Sequence, residues 1–390
     1  MAGAPSATMS PQGAATAQAP TAAAQSTPAA QSVVPFLRGS GKGKYKFYSK
    51  SGLTLTSATQ DLGPIDVKAY DYMRSILVTM TTTGNGGATG TLQADGPFNA
   101  FTNVAVLQPN GQTMYQVSGG HQAAMIQKYG AYRAQSDPRQ DPNYVASGSQ
   151  ATFAFRIPFE LDLRDALGAL PNKDAAAPFQ LNLTLNTLTN VFGSGQGTSP
   201  TVTVEAWLEA YDQPPTLLNG SPVQTTPPNM NTLQRWTEQN ITLNSGQFDA
   251  RIRKLGNYIR MFIPELLNSS NAREDTDWPD PLQIVLDEDT KDNISLADFK
   301  RRIWEIYGYG GWNTTTNAPV GRADQPGAQD VGVWPIQYFC DTQNLGIENA
   351  NLYLPTIESE DYLLRGSWGG TASKLRVLVC EVLPQGNIFG

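Results

Sequence analysis

The chain has 390 residues, a formal net charge of −7 and only 16% charged residues. That length exceeds one ordinary domain and suits two, each able to bury a core without disulfides or metal. The acidic balance excludes a global basic field for nucleic acid, and no apolar run reaches the ~20 residues of a membrane-spanning helix.

Glycine (36) and proline (27) are abundant, as expected for many short strands joined by turns. Residues 1–35 are almost entirely Ala, Gln, Pro, Ser, Thr and Gly, with no charged side chain. Such a segment buries too little apolar surface to offset the entropy of ordering, so a disordered or conditionally ordered tail is expected. It lacks the basic and apolar regions of a secretory signal. Residues 36–50 form a basic leader carrying Arg38, Lys42, Lys44, Lys46 and Lys50 and no acid, interleaved with glycine and aromatics. The folded part is expected to begin near Leu53.

From there strand-like runs are frequent. Met73 to Thr82, Asn103 to Gln108, Thr152 to Ile157, Phe179 to Leu188 and Thr201 to Tyr211 all qualify. In the fourth run Phe179, Leu181, Leu183 and Leu185 share one face, the period of a strand with one side buried. Ser118 to Tyr129 reads as a helix stopped by Gly130. Five prolines between Asp212 and Asn231 end the pattern, so residues 213–235 are assigned as a linker.

The second half repeats the first. Ile241 to Leu243 matches Leu53 to Leu55 as an opening strand. Tyr258 to Phe262 matches Tyr72 to Ile76, and Leu282 to Leu286 matches Val104 to Leu107. Ser295 to Tyr307 places Leu296, Phe299, Ile303 and Ile306 at helical spacing, with Ser295 as cap and Gly308 as stop. Both helices therefore end in Tyr-Gly. Trp334 to Cys340 and Leu375 to Leu383 complete the series. Six or seven strands per half stand out, in residues 51–212 and 236–390, and the shared element order points to a duplication.

Catalytic patterns are absent: there is no HExxH, GxSxG or phosphate-loop sequence. His121, the only histidine, reads as a helix-surface or core residue. Gly84 to Gly87 reads as a hairpin loop. Cys340 and Cys380 lie in apolar runs and read as free buried thiols, without excluding a disulfide. The run Asp287-Glu288-Asp289 with Asp292 reads as a solvated turn ahead of the helix, because a calcium loop needs alternating ligands that Lys291 interrupts. Asp275, Asp277 and Asp280 share another loop and leave a carboxylate pair open.

Three features together suggest a family: the two β halves, the proline linker, and the units Pro97-Phe98-Asn99-Ala100-Phe101 to Tyr129-Gly130 and Pro281-Leu282 to Tyr307-Gly308. The turn at Val106-Leu107-Gln108-Pro109-Asn110-Gly111 adds to the likeness. Over about residues 45–390 the chain resembles the double jelly-roll major capsid proteins of tailless, membrane-containing icosahedral bacteriophages of the tectivirus kind. The resemblance implies an all-β fold of two tandem jelly-roll sandwiches, each with one short helix. It implies a structural protein of the virion shell, made in the host cytoplasm, with no catalytic residues, cofactor or metal. Its partners would be two further copies in a pseudo-hexagonal homotrimer, neighbouring capsomers, penton and minor capsid proteins, and lipids of an internal viral membrane, with no specific nucleic acid. The basic leader is the expected lipid or capsomer contact. The alternatives are a jelly-roll glycan-processing hydrolase using Asp287, Glu288 and Asp289, or a glycan-binding adhesin stacking sugar on Tyr309 and Trp312.

Overall fold

A computed structural model describes residues 33–83, 91–93, 95–132, 137–142, 144, 152–194, 200–230, 232–253, 256–307, 311–313, 318–320, 331–340 and 348–384. The principal elements of the first half are β1 (Lys42–Thr54), β2 (Gln60–Asp61), β3 (Ile65–Asp66), β4 (Tyr72–Thr83), β5 (Phe101–Leu107), β6 (Thr113–Val117), α1 (Gly120–Tyr129), β7 (Thr152–Pro158), β8 (Gln180–Leu185) and β9 (Thr201–Tyr211). Those of the second half are β10 (Leu233–Thr242), β11 (Gly246–Ile252), β12 (Tyr258–Asn268), β13 (Leu282–Leu286), β14 (Asp289–Ile294), α2 (Leu296–Tyr307), β15 (Ile336–Gln337), β16 (Tyr362–Trp368) and β17 (Ala372–Leu383).

In the first half β1-β9-β4-β7 form one sheet, and the β2/β3 pair, β8, β5 and β6 form the facing one. In the second half β10-β17-β12-β15 face β11-β16-β13-β14. Counting β2 and β3 as one interrupted strand, both halves order their strands first-eighth-third-sixth against second-seventh-fourth-fifth. That is the jelly-roll connection, and it appears twice. Among the described residues each half has eight roll-forming strands, where the sequence made only six or seven legible.

The two rolls are not separate. β6 lies beside β10, so the inner sheet of the first roll continues into the second as one ten-stranded sheet. The joint is parallel, with Tyr115 opposite Trp236, whereas the other principal strand pairs are antiparallel. The second-roll part of this sheet is buried on both faces. Phe262, Leu266, Leu375, Val377 and Val379 enter the second core. Met261, Ile263, Leu378, Cys380, Val382 and Trp236 join the first-roll core. Burial on both faces explains why β12 and β17 read as nearly continuous apolar runs, while β9 alternates from Thr201 to Ala210.

Two boundaries move. The first strand begins at Lys42, eleven residues ahead of the expected start at Leu53, so most of the basic leader is sheet. Its Tyr45 and Phe47 pack against the core, and β1 pairs along β9 from Lys42 to Thr54. The second roll begins at Leu233, inside the stretch assigned to the linker. The linker itself folds into a small hairpin of Leu217–Leu218 with Ser221–Pro222. Val34 bridges to Val223 there, and Phe36 is buried with its ring edge-on to Tyr72 and Tyr211 at 5.3 and 5.7 Å. The described residues thus begin at Val33, inside the stretch assigned to the tail; the rest of the tail lies outside them.

The helices follow their local signals. Asp298 donates its N–H to Ser295 Oγ at 3.1 Å, the expected cap of α2. Phe299 of α2 stacks on Trp334 with centroids 3.6 Å apart. α1 is buried along nearly its whole length, because the second roll covers the side turned away from the first-roll core.

Charged groups at the joint are sealed in with partners. Arg260, 1% exposed, pairs with Glu348 at 2.6 Å and donates to the Gly130 carbonyl at the end of α1. Glu265 is fully buried on β12, 3.1 Å from Arg376 and within reach of Gln122. Burial pushes its carboxyl up to about 7, against opposition from Arg376 and Arg273 and with help from Glu238 and Asp95. The raised value means the folded state holds a proton the unfolded chain releases. The stability this group permits is complete at acidic pH and is lost as pH rises through about 7. Glu265→Gln removes that loss. Its stability relative to the parent is expected to rise by roughly 2–3 kcal/mol between pH 5 and pH 8, seen as a growing difference in melting temperature. An unchanged gap across that range in thermal melts would show an ordinary carboxyl instead.

Candidate assembly surface

β1 is the outer strand of the first sheet and presents its lysines by period 2. Lys42, Lys44 and Lys46 stand opposite Tyr211, Glu209 and Trp207; Glu209 and Trp207 are half-buried on the side turned away from the first core, and Tyr211 is buried in the small cluster around Phe36. All three lysines are exposed. Lys44 and Lys46 lie 5.1 and 4.8 Å from the Trp207 ring, and Lys46 also pairs with Glu205 at 2.8 Å. A bulge between Lys46 and Tyr48 then shifts the alternation. Lys50, beyond it, is exposed opposite Val204, which belongs to the inward set, so it does not join the other lysines. Arg38 is exposed on the helical turn Phe36–Gly39, ahead of the strand. The structure therefore gathers three of the five basic residues onto one face.

Beside them lies a cleft of about 440 Å³ lined by Lys42, Lys44, Arg74, Arg156, Glu160 and Glu209, among others. Arg74 pairs with Glu160 at 2.8 Å, and Arg156 with Glu209 at 3.0 Å. Burial raises the Glu160 carboxyl, and its bonds to Arg74 and the Tyr211 hydroxyl only partly offset this. Burial also acts on Glu209, but Arg156 and Ser75 outweigh it and hold that carboxyl below its usual range. Arg156 had no place in the sequence reading. Arg74 was legible only as the match of Arg260 in the paired strand motifs.

The acidic run is a hairpin. Asp287 and Glu288 are the two turn residues between β13 and β14, both left-handed with φ of 48° and 70°. Asp287 is a structural acid: its Oδ1 accepts the N–H groups of Glu360 and Asp361 at 2.5 and 3.0 Å. Asp289 is 79% exposed, and Asp292 on β14 pairs with Arg302 at 2.8 Å. Among the described residues no three His, Cys, Asp or Glu side chains converge as a metal site.

The second acidic loop is spent on backbone. Asp275 accepts from Gly332, Asp277 from Thr371 and Asp280 from Leu296. His121 is buried on α1, 3.8 Å from Asp95. Both cysteines are free; Cys380 is buried, which pushes its thiol up to about 12, and Cys340 is half-buried. Gly84 to Gly87, Gly308, Tyr309 and the side chain of Trp312 lie outside the described residues.

No family model and no curated protein matches the sequence. Solved structures do. The MCP of STIV, the Sulfolobus turreted icosahedral virus, is 14% identical, with a TM-score of 0.57 over 88% of this chain and 98% of that one. The major capsid protein P2 of bacteriophage PM2 is 10% identical, with a TM-score of 0.50 over 89% and 100%. PBCV-1 VP54, fitted into a reconstruction of the virophage Sputnik, is 12% identical, with a TM-score of 0.57 over 88% and 93%. The chain has the double jelly-roll fold of these proteins.

Asp287 holds the turn ahead of β16 through its two bonds to Glu360 and Asp361. Asp287→Ala leaves two exposed backbone donors to water and is expected to lower stability by about 0.5–1.5 kcal/mol, read in thermal melts. Added calcium should leave the melting temperature of the parent unchanged. A calcium-dependent rise would instead make the hairpin a metal loop.

Proposed function

We propose that this chain is a major capsid protein that assembles as pseudo-hexameric trimers into an icosahedral virion shell. The observation that carries the reading is the joint between the rolls. Two jelly rolls sharing a sheet and a core form one stiff block with two similar flanks, which suits a lattice element. The fold it shares with capsid proteins of a bacteriophage, an archaeal virus and PBCV-1 supports the same reading. The role is structural rather than enzymatic. The carboxylates that a glycan hydrolase would use are turn anchors and ion-pair partners here.

The placement of the basic residues favours a protein contact for Lys42, Lys44 and Lys46, which lie on a sheet face next to acidic partners. Contacts with penton and minor capsid proteins and with an internal membrane belong to the same proposal.

Light scattering of the purified protein should give the mass of three chains, and negative-stain images should show hexagonal outlines. A monomer at micromolar concentration in physiological salt would overturn the reading.

A further inference from the structure

The joint inside the chain is a template for a contact between chains. β6, the fifth strand of the first roll, meets β10, the first strand of the second. The corresponding strands left over are β14 and β1, and each is the outermost strand of its sheet.

The pairing registers place the two rolls in correspondence. Each third strand has one extra residue, and in both it is an arginine. Arg74 is skipped between Met73 and Ser75, which pair with Ala210 and Glu209. Arg260 is skipped between Ile259 and Met261, which pair with Glu381 and Cys380. Matching the arginines matches Glu209 with Cys380. Lys44 stands opposite Glu209 and Trp236 opposite Cys380, so Lys44 is the counterpart of Trp236.

The fifth strands also have one extra residue each. Val106 pairs with Tyr115 and Leu107 with Thr113, skipping Met114. Ile284 pairs with Asp292 and Val285 with Thr290, skipping Lys291. Asp292 is therefore the counterpart of Tyr115. Where the chain sets Tyr115 against Trp236, the equivalent pair between two copies is Asp292 against Lys44.

The surroundings agree. Inside the chain Arg260 reaches the end of α1, under the rings of Tyr132 and Phe339. Its counterpart Arg74 lines an open cleft. α1 is covered by the second roll, whereas α2 exposes Arg301 and Glu305. The two free edges differ in charge: Lys42, Lys44 and Lys46 along β1, and Glu288, Asp289 and Asp292, with the single Lys291 between them and Arg302 beside Asp292, along the β13–β14 hairpin. Complementary fields of this kind set register and orientation when two surfaces meet.

We propose that copies of this chain join head to tail, the β14 edge of one lying along the β1 edge of the next, with Asp292 facing Lys44 and the Glu288-Asp289 turn facing Lys42. The contact is heterologous, so it propagates until a ring closes. It rests on the assembly reading above and adds the residues that join the subunits.

Charge reversal tests it. Lys42→Glu with Lys44→Glu, and separately Asp289→Lys with Asp292→Lys, should each shift the oligomer to monomer at least tenfold in dissociation constant. Combining all four should restore association. Circular dichroism melts of each variant confirm that the monomers are folded. In a second experiment, the Lys44→Cys and Asp292→Cys double variant should give disulfide-linked multimers on a non-reducing gel, while neither single variant does. A monomeric parent would sink the assembly reading itself. An oligomeric parent whose reversed variants stay oligomeric, or whose fourfold variant stays monomeric, would sink only this contact, as would a double-cysteine variant that does not cross-link.

Discussion

The structure depends on one sheet, β10-β17-β12-β15, having apolar side chains on both faces. A sheet with one polar face closes a single sandwich and stops. This one serves two cores at once, giving Phe262 and Val379 to the second and Met261 and Leu378 to the first. Separating the rolls would expose the whole Trp236, Met261, Leu378 and Cys380 face, at roughly 25 cal/mol for each Å² of apolar surface. The rolls accordingly behave as one body, and α1 is buried between them.

Polar groups caught in that joint are there on terms set by desolvation. Arg260 survives because Glu348, the Gly130 carbonyl and two rings satisfy it. Glu265 is less well compensated, and its raised carboxyl records the difference. Buried ion pairs of this kind add little net stability but penalise any other alignment of the sheets, since misplacement strands a charge.

Much of this was legible in the sequence where local chemistry decided the outcome. The period-2 runs of β8 and β9 and the cap of α2 follow from propensity and burial, and so does the duplicated order of elements. β1 was missed because its lysines drew attention to charge, although Tyr45 and Phe47 alternate with Lys44 and Lys46 in a strand pattern. β14 was missed because Asp289 and Asp292 read as loop residues; it is an edge strand with few apolar positions. β2 and β3 are two residues each, too short for any periodicity. The basic face was only partly visible, because a single bulge removes Lys50 from it, and a bulge is set by pairing with a partner strand. The joint itself depends on which strand edges meet across more than a hundred residues, information that no local pattern carries.

The bulged arginines show how one roll pattern serves two surroundings within the same frame. Arg74 and Arg260 occupy the same place in the pairing register, yet one is sealed under rings and the other lines an open cleft. The same contrast runs along the strands beside them, where Trp236 and Tyr115 face each other inside the chain and lysines mark the corresponding free edge. An apolar joint is made once, during folding, and is not meant to come apart. A charged edge makes contacts that salt screens and that part easily, so whatever settles on it can leave and settle again.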